Sequence, residues 1–317
     1  MDASIVDVSI VIVSWNTRDI LRDCLRSIFR ETREVSFELF IVDNASRDGS
    51  AEMVQEEFPS VKLIVNSENR GFAAANNQAI RLASGRYVLL LNPDTIVLDA
   101  AICRCVRYAD AHTDIGVVGC QVLEDGHRIQ RTSFSFPGPW NLLLIQSGLS
   151  RSFPKSRLFG RPELGWWDRD TEQDVDVISG MFMLARREAI AQVGLLDEAF
   201  FVYGEETDWC YRFAQAGWRR VFTPCAKILH LDGGGKSTSQ INVKMYVQLQ
   251  KSLLIFVRKN LGYMAWLMAK VIFVISNSVR AVGWFGYSLL TGNVGVRRKS
   301  SAAIAALQFH LFGFQPQ

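Results

Sequence analysis

An alternation of apolar strands and amphipathic helices through the first hundred residues constrains this chain more than any other feature. "VSIVIVSWN" is apolar over most of its length without alternation, so it reads as a strand buried on both faces. A helix from about Arg18 to Arg30 comes next, with Ile20, Leu21, Cys24, Leu25 and Ile28 on one stripe. "FELFIVDNAS" is a second strand. "DGSAEMVQEEF" opens a second helix, with Asp48 and Ser50 as capping candidates, and "VKLIVN" is a third strand. "NRGFAAANNQAIRLASG" is a glycine turn and then a helix closed by Gly85. "YVLLLNPD" is the fourth strand. Strands joined through helices in this order form a parallel, Rossmann-like half.

The polar residues of this half recur where strands end: Trp15 and Asn16, Asp43 and Asn44, Asn92 and Asp94. Each alone has a turn reading, since Asn-Pro opens turns and Asp94 can cap the next segment. In succession at one edge of a sheet they indicate a ligand-binding edge. No G-x-G-x-x-G is present, which disfavours a dinucleotide-binding domain, and no G-x-x-x-x-G-K-[ST], which excludes a P-loop.

The length, 317 residues, suits one large α/β domain plus an appendage, and 49% apolar residues supply the core. A net charge of +3 gives no argument for nucleic acid, and none is expected as a partner. The six cysteines form no zinc-type spacing; Cys103 and Cys105 are the only close pair. They read as mostly buried, reduced thiols of a cytoplasmic protein. No secretory leader is read at the start: the run Ile10–Val13 is short, and Asp2 and Asp7 stand where positive charge is expected.

From about Ala111 to Asp176 the pattern is irregular, apart from a strand at "GVVGCQVL". Prolines, a Trp pair and basic residues read as long loops over the scaffold, or as an insertion packing its aromatics on the core. "MFMLA" is a strand, and "REAIAQVG" a short helix ending in Gly194. "EETDWCYRFAQAG" is a helix with Glu205, Glu206 and Asp208 in its first turn, where acids favour the helix dipole. "WRRVFTPCAKILH" is a strand ending at His230, with "LDGGGKS" as a flexible loop behind it.

In order, "VIVSWN", "IVDNAS", "NRGFAAANN", "LLNPD", "SGMFML", "GLLDEAFFVYGEETDWCYRFAQAGW" and the later "LH" resemble family 2 glycosyltransferases of GT-A fold. The nearest resemblance is to the rhamnosyltransferase-like branch of bacterial surface-polysaccharide biosynthesis, over about Val8 to Ser237. It implies an α/β fold with a Rossmann-like mixed central sheet flanked by helices. The glycosyltransferase domain would span 1–240, with a nucleotide-binding half at about 1–100 and an acceptor-binding half at about 101–240.

The resemblance also assigns roles. Val13 and Trp15 would line the base and ribose, and Asp43 would accept from the pyrimidine. Arg70, Gly71 and Asn76 would lie by the donor diphosphate and sugar. "NPD" matches the D-x-D element, so Asp94 would hold Mg²⁺ or Mn²⁺, while Asn92 replaces its first acid. A lone histidine is more often structural, but His230 matches the family's metal ligand. A cation on hard oxygen ligands would neutralise the departing nucleotide diphosphate. Inverting transfer needs a base for the acceptor hydroxyl. The family has an Asp second in an "ED" pair; here Glu206 takes that position, with Glu205 and Asp208 as acceptor-binding or supporting acids. The resemblance points to L-rhamnose from dTDP-rhamnose as donor and a lipid-linked or growing glycan as acceptor. The alternatives are UDP-galactofuranose or another UDP-sugar, or a silent nucleotide- or glycan-binding module.

Residues 241–317 form a helical appendage. Ser252–Leu290 is markedly apolar, and between Lys259 and Arg280 it is long enough to cross a bilayer, but Lys270 sits mid-span, where insertion costs about 2.5–3.5 kcal/mol. Lys270, Asn277 and Arg280 lie near one helical face, with Trp266, Trp284 and Tyr287 as interfacial anchors. Amphipathic helices on the inner face of the cell membrane are the expectation; a soluble helical subdomain or a homo-oligomer interface is the alternative. Arg297, Arg298 and Lys299 suit anionic headgroups.

Overall fold

The computed structural model describes residues 6–124, 128–231 and 243–313. The chain divides into two compact units. One comprises Met1–Phe134, Trp167–Phe201 and Glu205–Gly234; the other comprises Ser135–Trp166, Val202–Gly204 and Gly235–Gln317.

In the first unit β1 (Val8–Ser14), α1 (Arg18–Glu31), β2 (Phe37–Asp43), α2 (Ser50–Glu57), β3 (Lys62–Val65), α3 (Phe72–Leu82) and β4 (Tyr87–Leu91) alternate as the sequence predicts. Next come β5 (Thr95–Leu98), α4 (Ala101–Ala111), β6 (Ile115–Leu123) and β7 (Ser133–Phe134). The unit resumes with β8 (Gln173–Asp174), β9 (Val177–Ile178), β10 (Phe182–Arg186), α7 (Arg187–Val193), α8 (Glu205–Gln215) and β11 (Arg219–His230). α5 (Pro139–Gln146), α6 (Leu149–Ser152), α9 (Val243–Asn260), α10 (Gly262–Thr291) and α11 (Val294–Phe312) belong to the second unit.

The main sheet runs β3-β2-β1-β4-β10-β6-β11-β5, with β8 paired to β11. The first four strands are parallel, and β10 enters antiparallel between β4 and β6. The sheet is therefore mixed, as expected. All five residues of β4 are buried, which explains their unbroken apolar run. Leu21, Cys24, Leu25 and Ile28 of α1 are buried, fixing one face of that helix. Burying an aliphatic side chain of this size contributes about 1.5–3 kcal/mol. "NPD" breaks an apolar run because the chain leaves β4 there and returns as β5 at the far edge of the sheet.

The second unit is helical. The sequence reading takes much of about Ala111 to Asp176 as long loops or an insertion; within it α5 and α6 form and group with the C-terminal helices. "WNLLLIQ" is apolar on every side, so no stripe marks it as a helix. α10 turns its polar residues inward. Asn277 is fully buried and donates to Gln250 Oε1 (2.9 Å), while Tyr246 donates to Asn277 Oδ1 (2.9 Å). Arg280 donates to Gln146 Oε1 (2.7 Å) and Tyr246 Oη (3.0 Å). The opposite side of α10 exposes Met264, Met268, Val271, Ile275, Val279 and Val282. By length and composition α10 is long and apolar enough to cross a membrane. Asn293 caps α11 by accepting from Gly295 N at 2.9 Å.

Candidate active site

The candidate residues all lie in the first unit. Parallel pairing puts Ser14 in register with Asp43, so the polar residues after β1 and β2 emerge together. Asn44 N donates to Ser14 O at 2.8 Å, fixing the two strand ends side by side. Val13 is half-buried at this edge, and Trp15 is exposed beyond it. Asp43 is buried; its Oδ2 accepts from Ser46 N (3.0 Å), and its Oδ1 has no hydrogen-bond partner among the described residues. A buried acceptor without a donor suits a ligand N–H.

Asn44 organises the next loop, a role the sequence reading does not assign to it. Its Oδ1 accepts from Arg70 N (3.1 Å) and Asn66 Nδ2 (3.1 Å); its Nδ2 donates to Asn69 Oδ1 (2.9 Å). The available signal was its position beside Asp43 at a strand end. Gly71 has φ +81°, and a Cβ there would run into the Phe201 carbonyl. Phe72 N donates to that carbonyl at 2.7 Å. Only glycine meets both demands without strain. Arg70 is exposed next to it, whereas Asn76 is buried on α3 with its Nδ2 on Phe72 O (2.9 Å) and its Oδ1 without a partner among the described residues.

Asp94 and His230 come together. β5 pairs antiparallel with β11, matching Thr95 to His230. His230 Nε2 lies 3.2 Å from Asp94 Oδ2, and Leu231 N donates to Asp94 O at 2.8 Å. Asp94 Oδ1 has no hydrogen-bond partner among the described residues. Among the described residues no cluster of three or more His, Cys, Asp or Glu forms a complete metal cage. A carboxylate and an imidazole converging on one point leave coordination sites for a ligand's own oxygens. Asn92 is half-buried beside them; its carbonyl accepts from Thr95 Oγ1 at 2.8 Å. The loop "LDGGGKS" read after His230 lies, from 232 on, outside the described residues.

The three acids of α8 separate by burial. Glu205 and Asp208 are buried, and Glu206 is half-buried. Asp208 Oδ2 accepts from Arg212 Nε at 2.9 Å. Arg212 also donates to Val193 O (2.6 Å) and Leu195 O (2.7 Å), so Asp208 anchors α8 to the segment after α7. The cysteines are all free, and all but Cys225 are buried; burial pushes the thiols of Cys24 and Cys210 up to about 12, which makes them inert at neutral pH.

The mixed sheet order with flanking helices is that of a glycosyltransferase of GT-A fold. A family model for glycosyl transferase family 2 matches residues 9–194, and the chain belongs to that family. It is 26% identical over 240 residues to an N-acetylglucosaminyl-diphospho-decaprenol L-rhamnosyltransferase of Mycobacterium tuberculosis, covering 70% of this chain and 75% of that one. It is 27% identical over 243 residues to the O-antigen biosynthesis protein RfbC of Myxococcus xanthus, covering 74% of this chain and 18% of that one. Among solved structures, the mannosyltransferase PcManGT from Pyrobaculum calidifontis, in complex with GDP-Man and Mn²⁺, matches with a TM-score of 0.56 at 17% identity, over 97% of this chain and 88% of that one. GalNAc-T7 with UDP, GalNAc and Mn²⁺ matches with a TM-score of 0.58 at 19% identity, over 81% and 48%.

Proposed function

We propose that this glycosyltransferase moves L-rhamnose from dTDP-rhamnose, with inversion, onto a lipid-linked or growing surface glycan. The observation that carries the reading is the convergence of Asp94 Oδ2 and His230 Nε2 to 3.2 Å at one sheet edge. The rhamnosyltransferase relative, whose name specifies a diphospho-decaprenol acceptor, supports the choice of sugar and acceptor. Asp94 and His230 would hold Mn²⁺ or Mg²⁺ against the donor diphosphate. The bound cation supplies a Lewis acid that neutralises the leaving group. Asp43 accepts from the pyrimidine, Val13 and Trp15 flank the nucleoside, and Arg70, Gly71, Asn76 and Asn92 line the diphosphate and sugar. Glu206 takes the proton from the acceptor hydroxyl as that oxygen attacks the anomeric carbon.

The test is a panel of nucleotide sugars read by thermal stabilisation with Mn²⁺ and with Mg²⁺. At about one hundred times its dissociation constant, the true donor adds about 2.7 kcal/mol. Strongest stabilisation by a UDP-sugar overturns the rhamnose assignment. Stabilisation by dTDP-rhamnose without metal-dependent hydrolysis or transfer turns the reading to a silent module.

The helical unit supports residence on the inner membrane face. α10 buries Asn277 and presents Met264, Met268, Ile275 and Val279 outward, the reverse of a helix facing water. Full-length protein is expected to float with anionic vesicles, and the double variant Met268→Glu/Val279→Glu to stay behind while folded. A defined oligomer with no vesicle binding gives this face to a protein interface.

A further inference from the structure

The two units carry opposite charge. The helical unit contains fourteen Lys and Arg and a single acid, Glu163; between Val243 and Gln317 there are nine basic residues and no Asp or Glu. The remaining charges leave the other unit with an excess of acid. A net charge of +3 hides this segregation.

Within the helical unit the charge converges. A cavity of about 420 Å³ opens among α9, α10 and α11. Its cationic lining is Lys251, Arg258, Lys259 and Lys270, and Trp266 and His310 also line it. Lys270 sits over the Trp266 ring at 5.2 Å, and Arg258 over Tyr263 at 4.9 Å. Lys251, Arg258 and Lys270 form no ion pair among the described residues. Lys251, Arg258 and Lys270 around one cavity repel one another and cost stability unless an anion offsets them.

Two further observations point to the kind of anion. His310 is 2% exposed; its Nε2 lies 2.6 Å from Gln250 Oε1, and its Nδ1 has no hydrogen-bond partner among the described residues. Because Nε2 faces the acceptor Gln250 Oε1, Nδ1 is left as a buried acceptor, which suits a hydroxyl carried beside the anion, as on a glycerol headgroup. The helix that carries Trp266 and Lys270 also exposes apolar residues beside them in sequence. Leu267 and Val271, each one residue on from the lining positions Trp266 and Lys270, are exposed, as are Met264 and Met268. A soluble anion needs the cations and has no use for that face.

We propose that this cavity binds the phosphate headgroup of an anionic lipid, whose chain lies along the exposed face of α10. The site rests on the membrane reading of the helical unit and extends it from a non-specific surface to a headgroup pocket. Arg297 and Arg298, on α11, are outside the cavity lining and serve as a control of equal charge.

The experiment uses the full chain and dihexanoyl phosphatidylglycerol below its micelle concentration, so that no bilayer surface potential contributes. Saturable binding is expected, at least about tenfold tighter than for dihexanoyl phosphatidylcholine. Lys251→Gln/Lys270→Gln should weaken binding at least about tenfold, and Arg297→Gln/Arg298→Gln by less than about twofold. Without lipid, Lys251→Gln/Lys270→Gln should melt higher than the natural protein, because like charges have been removed. If that variant does not fold, Lys251→Gln alone carries the same comparison. Equal binding of the two lipids, or equal losses in the two double variants, overturns the pocket. Inorganic pyrophosphate binding as tightly as the lipid overturns it in favour of a soluble anion. Full-length protein that binds neither neutral nor anionic vesicles sinks the membrane reading itself, whereas binding both equally sinks only the headgroup site.

Discussion

His230 Nε2 sits 3.2 Å from Asp94 Oδ2, although the two residues lie far apart in the sequence. The antiparallel pairing of β5 with β11 makes the contact: Thr95 and His230 are directly matched, and Asp94 is the residue before. This places one oxygen and one nitrogen donor where "NPD" leaves β4.

Asp94→Ala and His230→Ala are each expected to weaken metal-dependent nucleotide-diphosphate binding by at least about tenfold, with the fold intact. Isothermal calorimetry with and without Mn²⁺ measures this. Unchanged metal dependence in either variant removes that residue from the site.

Glu206 is half-buried at the start of α8, while its neighbours Glu205 and Asp208 are buried. A general base contributes roughly 10²–10⁴ in rate; an exposed dipole-favouring acid contributes about 0.3–1 kcal/mol of stability. Glu206→Gln should slow transfer at least about 100-fold at saturating substrates, with donor affinity within a few-fold of the natural protein. Glu206→Asp should keep partial activity. Near-normal transfer by the Gln variant moves suspicion to Glu205.

Gly71→Ala combines an unfavourable backbone angle with a collision. At φ +81° an L side chain is strained, and its Cβ meets the Phe201 carbonyl that accepts from Phe72 N. The strain alone costs about 1–3 kcal/mol. Chemical denaturation should show a loss in this range or larger, and donor affinity should fall because the Arg70 loop shifts. A variant as stable as the natural protein refutes the tight approach.

Burial, with repulsion from Lys270, lowers the pKa of His310 from the usual 6.5 to about 4. Lys251, Arg258 and Lys259 line the same cavity. The unfolded chain therefore binds a proton between these values that the folded chain refuses. Stability from this group is full above about pH 6.5 and is lost as pH falls towards about 4. At about 1.4 kcal/mol per unit, the loss is roughly 3 kcal/mol. Melting from pH 7 to 4.5 should show a shallower acid decline in His310→Gln than in the natural protein. Parallel curves contradict it.

Much of the first unit was legible in the sequence, because the signals that specify strands and helices are local. An unbroken apolar run such as Tyr87–Leu91 leaves no face for water, and the stripe Leu21, Cys24, Leu25, Ile28 leaves one face for a core. The polar residues after β1, β2 and β4 were likewise readable as one edge, since parallel strands end on the same side. The resemblance supplied the candidate roles at these positions. Local pattern carries no information about which distant strand a strand will join. The sheet alone decided that β11 returns beside β5, so that His230 reaches Asp94. Packing alone decided that Asp208 turns inward to Arg212 and that Asn44 holds the loop around Arg70 and Gly71. The same holds for the helical unit. Composition marked α10 as apolar, but a helix built from mostly apolar residues has no strong preference for the side it buries. Its few polar groups settled the matter: Asn277 and Arg280 need partners, found them on Gln250, Tyr246 and Gln146, and left the apolar side facing outward.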